Sequence, residues 1–166
     1  MTTLTETCVA APLALCLDWQ DDAVVRLRLM WSEGRELVLA TPAGKALQAA
    51  LARYVAGEEP HWPELPLSWQ GVSAFSRTVL DALARVPRGQ KVSYGWLAAT
   101  VGRPKAARAI GRVMANNRFP LLFPCHRVVG SNGALTGFGP GLEMKQYLLD
   151  REGVEKNASG GQGETF

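Results

Sequence analysis

From Val24 to Met30 the chain alternates. Val24, Arg26, Arg28 and Met30 share one face, and Val25, Leu27 and Leu29 the other. A period of two predicts a strand. Leu13–Trp19 is a similar run, with Gln20–Asp22 as the turn between the two. Leu37–Ala40 reads as a short third strand and Leu65–Trp69 as a last one. Between these the period lengthens. Thr41 followed by Pro42 has the form of an N-cap and first helical residue. Ala43–Ala56 continues as a helix with Leu47, Leu51 and Tyr54/Val55 on one stripe, and Gly57 ends it. Glu58–Pro66 holds three prolines and reads as a loop or linker.

From about Gly71 the pattern is mostly helical. Phe75, Val79, Leu83 and Val86 fall at helix spacing within Ser73–Val86, and Pro87-Arg88-Gly89 stops that helix. Ser93 caps a short helix over Tyr94–Val101. Gly102-Arg103-Pro104 is a tight turn, and Lys105–Asn116 is helical again. Leu121–Val129 is an apolar run broken by Pro124. Ser131–Gly141 is glycine-rich and reads as a loop. Leu142–Arg151 is a final helix that closes near Gly153. The expected organisation is an α+β chain: an N-terminal domain over 1–70, a C-terminal domain over 71–153, and a polar, disordered tail over 154–166.

Composition narrows the class. The chain has 166 residues, 47% of them hydrophobic and 20% charged, enough to bury a sizeable core. No apolar run approaches the roughly 20 residues of a membrane span. The N-terminus has no Lys or Arg ahead of its short apolar run and makes a poor signal peptide. Three cysteines, Cys8, Cys16 and Cys125, are too few for a disulfide framework and point to a reducing cytoplasm. Cys8, Cys16 and His61 lack ligand spacing, so no metal is expected.

The net charge of +3 is unevenly divided. Residues 1–70 hold 5 Lys/Arg and 9 Asp/Glu, a net of −4, whereas 71–152 hold 12 and 4, a net of +8. Residues 82–142 contain no acid at all. Ordinary surfaces intersperse both signs. An acid-free stretch suits a surface that meets a polyanion, where a carboxylate would be repelled by phosphates.

The two helices around Gly102 resemble a helix-turn-helix. At 100° per residue, Ala106, Ala109, Ile110 and Val113 face inward. Lys105, Arg108 and Arg112 face outward, beside the small residues Gly111 and Ala115. That thin basic face allows close approach to a phosphate backbone.

The sharpest local feature is Phe123-Pro124-Cys125-His126-Arg127-Val128. A proline pins the backbone, Arg127 and its neighbours favour a thiolate, and the adjacent histidine is a base for the thiol proton. Adjacent strand residues point to opposite faces, so a Cys–His partnership needs a turn at Pro124 or a bridging water. Cys8 and Cys16 read as small buried hydrophobes.

The segment Pro124-Cys125-His126-Arg127-Val128 resembles the active-site signature of the O6-alkylguanine-DNA alkyltransferases, or methylated-DNA–protein-cysteine methyltransferases. So, in order and spacing, do Val92-Ser93-Tyr94-Gly95, Leu97-Ala98, Pro104-Lys105-Ala106-Ala107-Arg108-Ala109, Asn117, Gly133 and Leu148-Leu149…Glu152-Gly153. The likeness is specific over about residues 73–153 and weaker over 1–70. It implies a ribonuclease-H-like N-terminal lobe of antiparallel strands plus helix. The C-terminal lobe would be mostly helical, with a winged-helix-like helix-turn-helix and an active-site loop.

The implied activity is direct, single-turnover transfer of the alkyl group from O6-alkylguanine, and O4-alkylthymine, in duplex DNA to Cys125, without cofactor. The protein would act as a monomer that binds the minor groove and flips the target base. His126 would act through a water as base for Cys125, Glu152 would orient the imidazole, and Asn117 would brace the loop. Arg108 would enter the vacated stack. Tyr94 would crowd the phosphate and hydrogen-bond the flipped base, and Met114 would form an apolar wall. The Val128 carbonyl and the amide near Gly139 would read the guanine edge. Ser76, Gly95, Arg103 and Ser131 match DNA-contact positions.

The chain departs from the pattern at Phe75-Ser76-Arg77, Leu80, Pro87-Arg88-Gly89 and Gly139-Pro140. All bear on the pocket rim and on tolerance for bulky alkyl groups. Two other readings are a non-reactive lesion-binding module, against which Cys125 stands, and a Cys–His hydrolase, which leaves the basic helix pair without a purpose.

Overall fold

The computed structural model describes residues 1–154, so the C-terminal tail expected from the sequence lies outside the described residues except for its first residue, Val154. The chain divides into two compact units, Met1–Gln70 and a second beginning at Gly71.

The first unit is a three-stranded antiparallel sheet in the order β1-β2-β3, with one helix. The strands are β1 (Thr3–Ala10), β2 (Leu13–Gln20) and β3 (Ala23–Trp31), and the helix is α1 (Pro42–Val55). The central strand is buried along Leu13, Ala14, Leu15, Cys16 and Leu17, as expected for a strand covered on both faces. Leu47, Leu51 and Tyr54 of α1 complete this core, and Tyr54 packs against Trp62 at 5.7 Å between ring centroids. Among the described residues no helix is long and apolar enough to cross a membrane.

One strand, β1, is not expected from the sequence, and two sequence expectations change. β1 carries no apolar alternation, because its buried positions are Glu6 and Cys8. The expected strands at Leu37–Ala40 and Leu65–Trp69 each reduce to one bridge, Thr7 with Val38 and Val24 with Leu67. The two-faced pattern of β3 breaks at its start. A register shift opposite Asp18/Trp19 pairs Trp19 with Val24 and Asp18 with Arg26, which leaves Val25 as the extra residue of a bulge. Val24 is therefore buried like Leu27 and Leu29, although simple alternation sets it on the opposite face.

Glu6 explains the start of α1. Its carboxylate accepts from the Trp19 indole (2.8 Å), the Ala40 and Thr41 amides (2.7 and 2.8 Å) and the Thr41 hydroxyl (2.8 Å). Thr41 in turn caps α1 by accepting from Gly44 N at 3.0 Å. Gly44 is glycine for a steric reason, since a Cβ there would run into the Glu6 carboxylate.

The second unit holds helices α2 (Ala74–Leu83), α3 (Tyr94–Thr100), α4 (Ala107–Ala115) and α5 (Leu142–Arg151). Two short strands, β4 (Val92–Ser93) and β5 (Val128–Val129), pair in parallel. Val79, Leu83 and Val86 of the expected α2 stripe are buried, while Phe75 stays half-exposed. Ser73 and Ser93 cap α2 and α3 through their hydroxyls. Helix α4 is shorter than the expected Lys105–Asn116 because Lys105 remains in the preceding turn. It buries Ile110, Val113 and Met114 and leaves Arg108 and Arg112 exposed.

The end of α5 is a Schellman cap. Gly153 adopts φ +78°, Gly153 N donates to Asp150 O (3.1 Å) and Val154 N to Leu149 O (3.0 Å). Val154 folds back onto Leu149 and Val129, and this turn sets Glu152 at the buried edge of the helix end.

Candidate active site

Pro124 (φ −77°, ψ 69°) does not continue a strand. It opens one 3₁₀ turn, Cys125–Arg127, before β5 begins. This supplies the turn that a Cys–His pair requires. Cys125 and His126 are both buried, at 7% and 1% exposure.

Upstream of the cysteine the loop is braced by Asn117. Its Nδ2 donates to Phe123 O (2.9 Å) and its Oδ1 accepts from Phe119 N (3.0 Å). Its side chain also hydrogen-bonds Cys125. Within this loop the buried Leu121 holds φ +73°, a conformation that L-residues other than Asn and Asp rarely adopt. Asn117 and the 3₁₀ turn hold it on either side.

His126 Nε2 lies 2.7 Å from Glu152 Oε2, with both side chains sealed from solvent. Arg127 grips the same carboxylate, donating from Nε to Oε1 (2.8 Å) and from Nη2 to Oε2 (3.1 Å), while its Nη1 donates to Val86 O (2.7 Å). Burial alone would raise the Glu152 pKa. The His126 charge and hydrogen bond and those of Arg127 outweigh it, so the carboxyl is held well below the usual range. Burial pushes the His126 pKa down against the pull of Glu152. A neutral imidazole that donates Nε2–H to Glu152 keeps Nδ1 as its lone-pair nitrogen. Burial also pushes the Cys125 thiol up, opposed by the Asn117 hydrogen bond and the Lys145 charge. In the resting protein Cys125 is therefore a thiol that needs a base.

Arg127 thus differs from its sequence-based role. Its donors are committed to Glu152 and Val86 rather than to the thiol. The cation that opposes the burial-driven rise of the Cys125 pKa is Lys145, which sequence reasoning missed. Lys145 is 1% exposed, and Nζ donates to Val128 O (2.6 Å) and Thr136 O (3.1 Å). Burial brings its pKa down to about 8. A signal was present, because Lys145, Leu148, Leu149 and Glu152 stand at i, i+3, i+4 and i+7 on the buried stripe of α5. A charged residue on such a stripe needs a buried partner.

The other expected residues are placed as follows. Tyr94 opens α3, and its hydroxyl lies 2.8 Å from Thr136 Oγ1. The Val128 carbonyl is taken by Lys145, although a second lone pair remains for a base edge. Met114 is buried in α4. Ser76 lies in the first turn of α2, its hydroxyl 3.0 Å from that of Ser73. The exposed Arg103 guanidinium sits 5.6 Å from the centroid of the Phe75 ring. Gly95 in α3, Arg108 in α4, and Ser131 and Gly139 in the loop between β5 and α5 are all exposed. Among the described residues, none of Ser76, Gly95, Arg103, Arg108, Ser131 and Gly139 hydrogen-bonds to Cys125 or His126.

Comparison with known proteins identifies the family. Residues 74–154 match the family model described as "6-O-methylguanine DNA methyltransferase, DNA binding domain". The chain is 40% identical over 144 residues to the constitutive methylated-DNA–protein-cysteine methyltransferase of Bacillus subtilis, covering 81% of this chain and 86% of that one. It is 45% identical over 121 residues to the methylated-DNA–protein-cysteine methyltransferase of Salmonella typhimurium, covering 73% of this chain and 70% of that one. Among solved structures, Mycobacterium tuberculosis OGT in complex with DNA superposes with a TM-score of 0.71 at 30% identity, over 89% of this chain and 91% of that one. With a buried Cys-His-Glu constellation and an α+β architecture of the same kind, the chain belongs to the methylated-DNA–protein-cysteine methyltransferase family.

Proposed function

We propose that this protein repairs duplex DNA by moving the alkyl group of O6-alkylguanine, and of O4-alkylthymine, onto Cys125, once per molecule. The observation that carries the reading is the pairing of a buried thiol with a buried, Glu152-anchored imidazole on one 3₁₀ turn. His126 Nδ1 takes the thiol proton through a water, Glu152 and Arg127 hold the ring while it is charged, and Lys145 and Asn117 steady the thiolate. The thiolate displaces guanine in line. The S–C bond forms, the C–O6 bond breaks, and the electron pair leaves with the base. Tyr94 supplies a proton to a ring nitrogen of that base and recovers one from solvent, so the thiol proton is in effect handed to guanine. The thioether has no route back to a thiol under these conditions.

Binding is assigned to the α3–α4 pair. Lys105 and Arg112 contact phosphates and Ser76, Gly95, Arg103 and Ser131 position the backbone, in the minor groove. Arg108 fills the gap left by the flipped base. Met114, Val128 and Gly139 shape the pocket that receives it. One copy suffices per lesion.

The experiment is intact mass and binding with O6-methylguanine duplex. The wild type becomes one methyl heavier at a 1:1 limit, while Cys125→Ala stays unmodified and still binds near wild-type affinity. In the same series Arg108→Ala loses rate on duplex but little on free O6-benzylguanine, because flipping costs a few kcal/mol only within a stack. Label retained on Cys125→Ala, or turnover beyond one equivalent, removes this reading.

A further inference from the structure

One residue joins three parts of the site and has no role in the mechanism above. Thr136 lies in the loop between β5 and α5. Its hydroxyl is 2.8 Å from the Tyr94 hydroxyl, and its carbonyl accepts from Lys145 Nζ at 3.1 Å. The same ammonium holds Val128 O at 2.6 Å. Tyr94, Thr136, Lys145 and Val128 therefore form one polar chain. It runs from the first residue of α3, through the loop, to the strand that leaves the nucleophile.

We infer that Thr136 is a positioning residue for alkyl transfer, acting through the Tyr94 phenol; the inference rests on the proposed role of Tyr94. Its carbonyl is anchored by a buried cation, so its hydroxyl stands at a fixed point. When that hydroxyl donates to the phenol oxygen, the phenol's own O–H is left for the departing base. A hydrogen bond received at the phenol oxygen also polarises the O–H and makes it a stronger donor. As the C–O6 bond breaks and the proton moves to the guanine ring, negative charge grows on the phenol oxygen. The Thr136 hydroxyl is already placed to bond it, and bonds to charged acceptors are about twice as strong as neutral ones. Thr136 thus contributes more in the transition state than in the bound ground state, which is the condition for raising rate rather than affinity.

The test is single-turnover transfer from O6-methylguanine duplex by five proteins: wild type, Thr136→Val, Thr136→Ser, Tyr94→Phe, and Thr136→Val with Tyr94→Phe. Valine keeps the shape and the backbone carbonyl and removes the hydroxyl. Thr136→Val lowers the maximal first-order rate roughly fivefold, the worth of one ordinary hydrogen bond, with the half-saturating DNA concentration unchanged. Thr136→Ser restores the rate. In the Tyr94→Phe background the valine substitution costs nothing further, since the phenol it acts through is gone. An undiminished rate in Thr136→Val overturns the inference. So does failure of serine to restore it, or the same fivefold loss with and without the phenol, which would mark Thr136 as merely a loop-packing residue. A wild type that transfers no methyl at all instead removes the proposed function and is seen in the first arm.

Discussion

Each unit of this protein seals one carboxylate from water, and the two are put to opposite uses. Glu6 meets only neutral, fixed donors: two amides, a hydroxyl and an indole N–H. Glu152 meets a histidine and an arginine. Both carboxyls are held below their ordinary pKa against the opposing effect of burial. The difference lies in what else titrates. Around Glu6 no partner changes its protonation state, so the group is a staple between β1, β2 and the start of α1. Around Glu152 the partner is a titratable imidazole one residue from Cys125, so under the proposed mechanism the same burial would serve proton transfer. Burial and a lowered pKa mark an important acid, but the chemistry of its donors decides whether it is structural or reactive.

The hardest attempt to break this contrast is Glu152→Gln. The amide NH₂ must face at least one donor, and Arg127 is left without a counter-charge in a buried setting. Breaking a buried ion pair from one side costs about 3–5 kcal/mol, and losing the anchored base slows transfer by about 100-fold or more. Glu152→Asp, which keeps the charge, recovers more rate than stability if orientation is the lesser need. Both are read by labelled-methyl transfer and thermal melting of the same samples.

Glu6→Gln is the matched experiment in the other unit. Both of its oxygens accept, so an amide leaves donors facing donors, at a cost of about 1–3 kcal/mol. The folded protein transfers methyl at the wild-type rate. The pH dependence has a definite sign. The folded-state pKa of Glu6 lies below its ordinary 4.5. Its stabilisation is therefore complete above that value and is lost as pH falls through the folded pKa. Melting midpoints of wild type and Glu6→Gln differ at neutral pH and converge in strong acid. A slowed transfer rate at unchanged fold would place Glu6 on the reactive side of the comparison.

The smallest effect comes from the reaction itself. Cys125 is 7% exposed, so an added methyl overpacks its surroundings at about 1–3 kcal/mol, and the Asn117 bond to sulfur weakens. At about 2–4 °C per kcal/mol for a chain of this size, the stoichiometrically methylated protein melts several degrees below the free form. A larger drop for benzyl than for methyl sharpens the assignment to packing, and an unchanged midpoint removes it.

Much of the reactive unit was legible in the sequence. Helix α5 has the expected limits, and the structure brings His126 against Glu152 with Cys125 on the same turn. Local signals account for this: a proline before the cysteine, a serine at a cap, a glycine after the last helical turn. What the sequence concealed was buried charge. β1 escaped notice because its core-facing positions are Glu6 and Cys8, which break the apolar alternation a strand usually shows. Lys145 escaped for the same reason on a helix. The third miss, Val24, is a register effect, since a bulge in one strand is visible only against its partner. In each case the missing information was the identity of a neighbour distant along the chain.

Cys125 is the sole cysteine after residue 70, and Cys8 and Cys16 are buried in the N-terminal unit. No second thiol follows it in the second unit to take an alkyl group onward, and the burial around this sulfur would also shield a thioether formed there. Under the proposed single-turnover chemistry, repair capacity is an inventory, one lesion per polypeptide. A burst of damage larger than the number of copies in the cell outlasts the supply, and recovery then proceeds at the pace of protein synthesis, however fast the chemistry at each site.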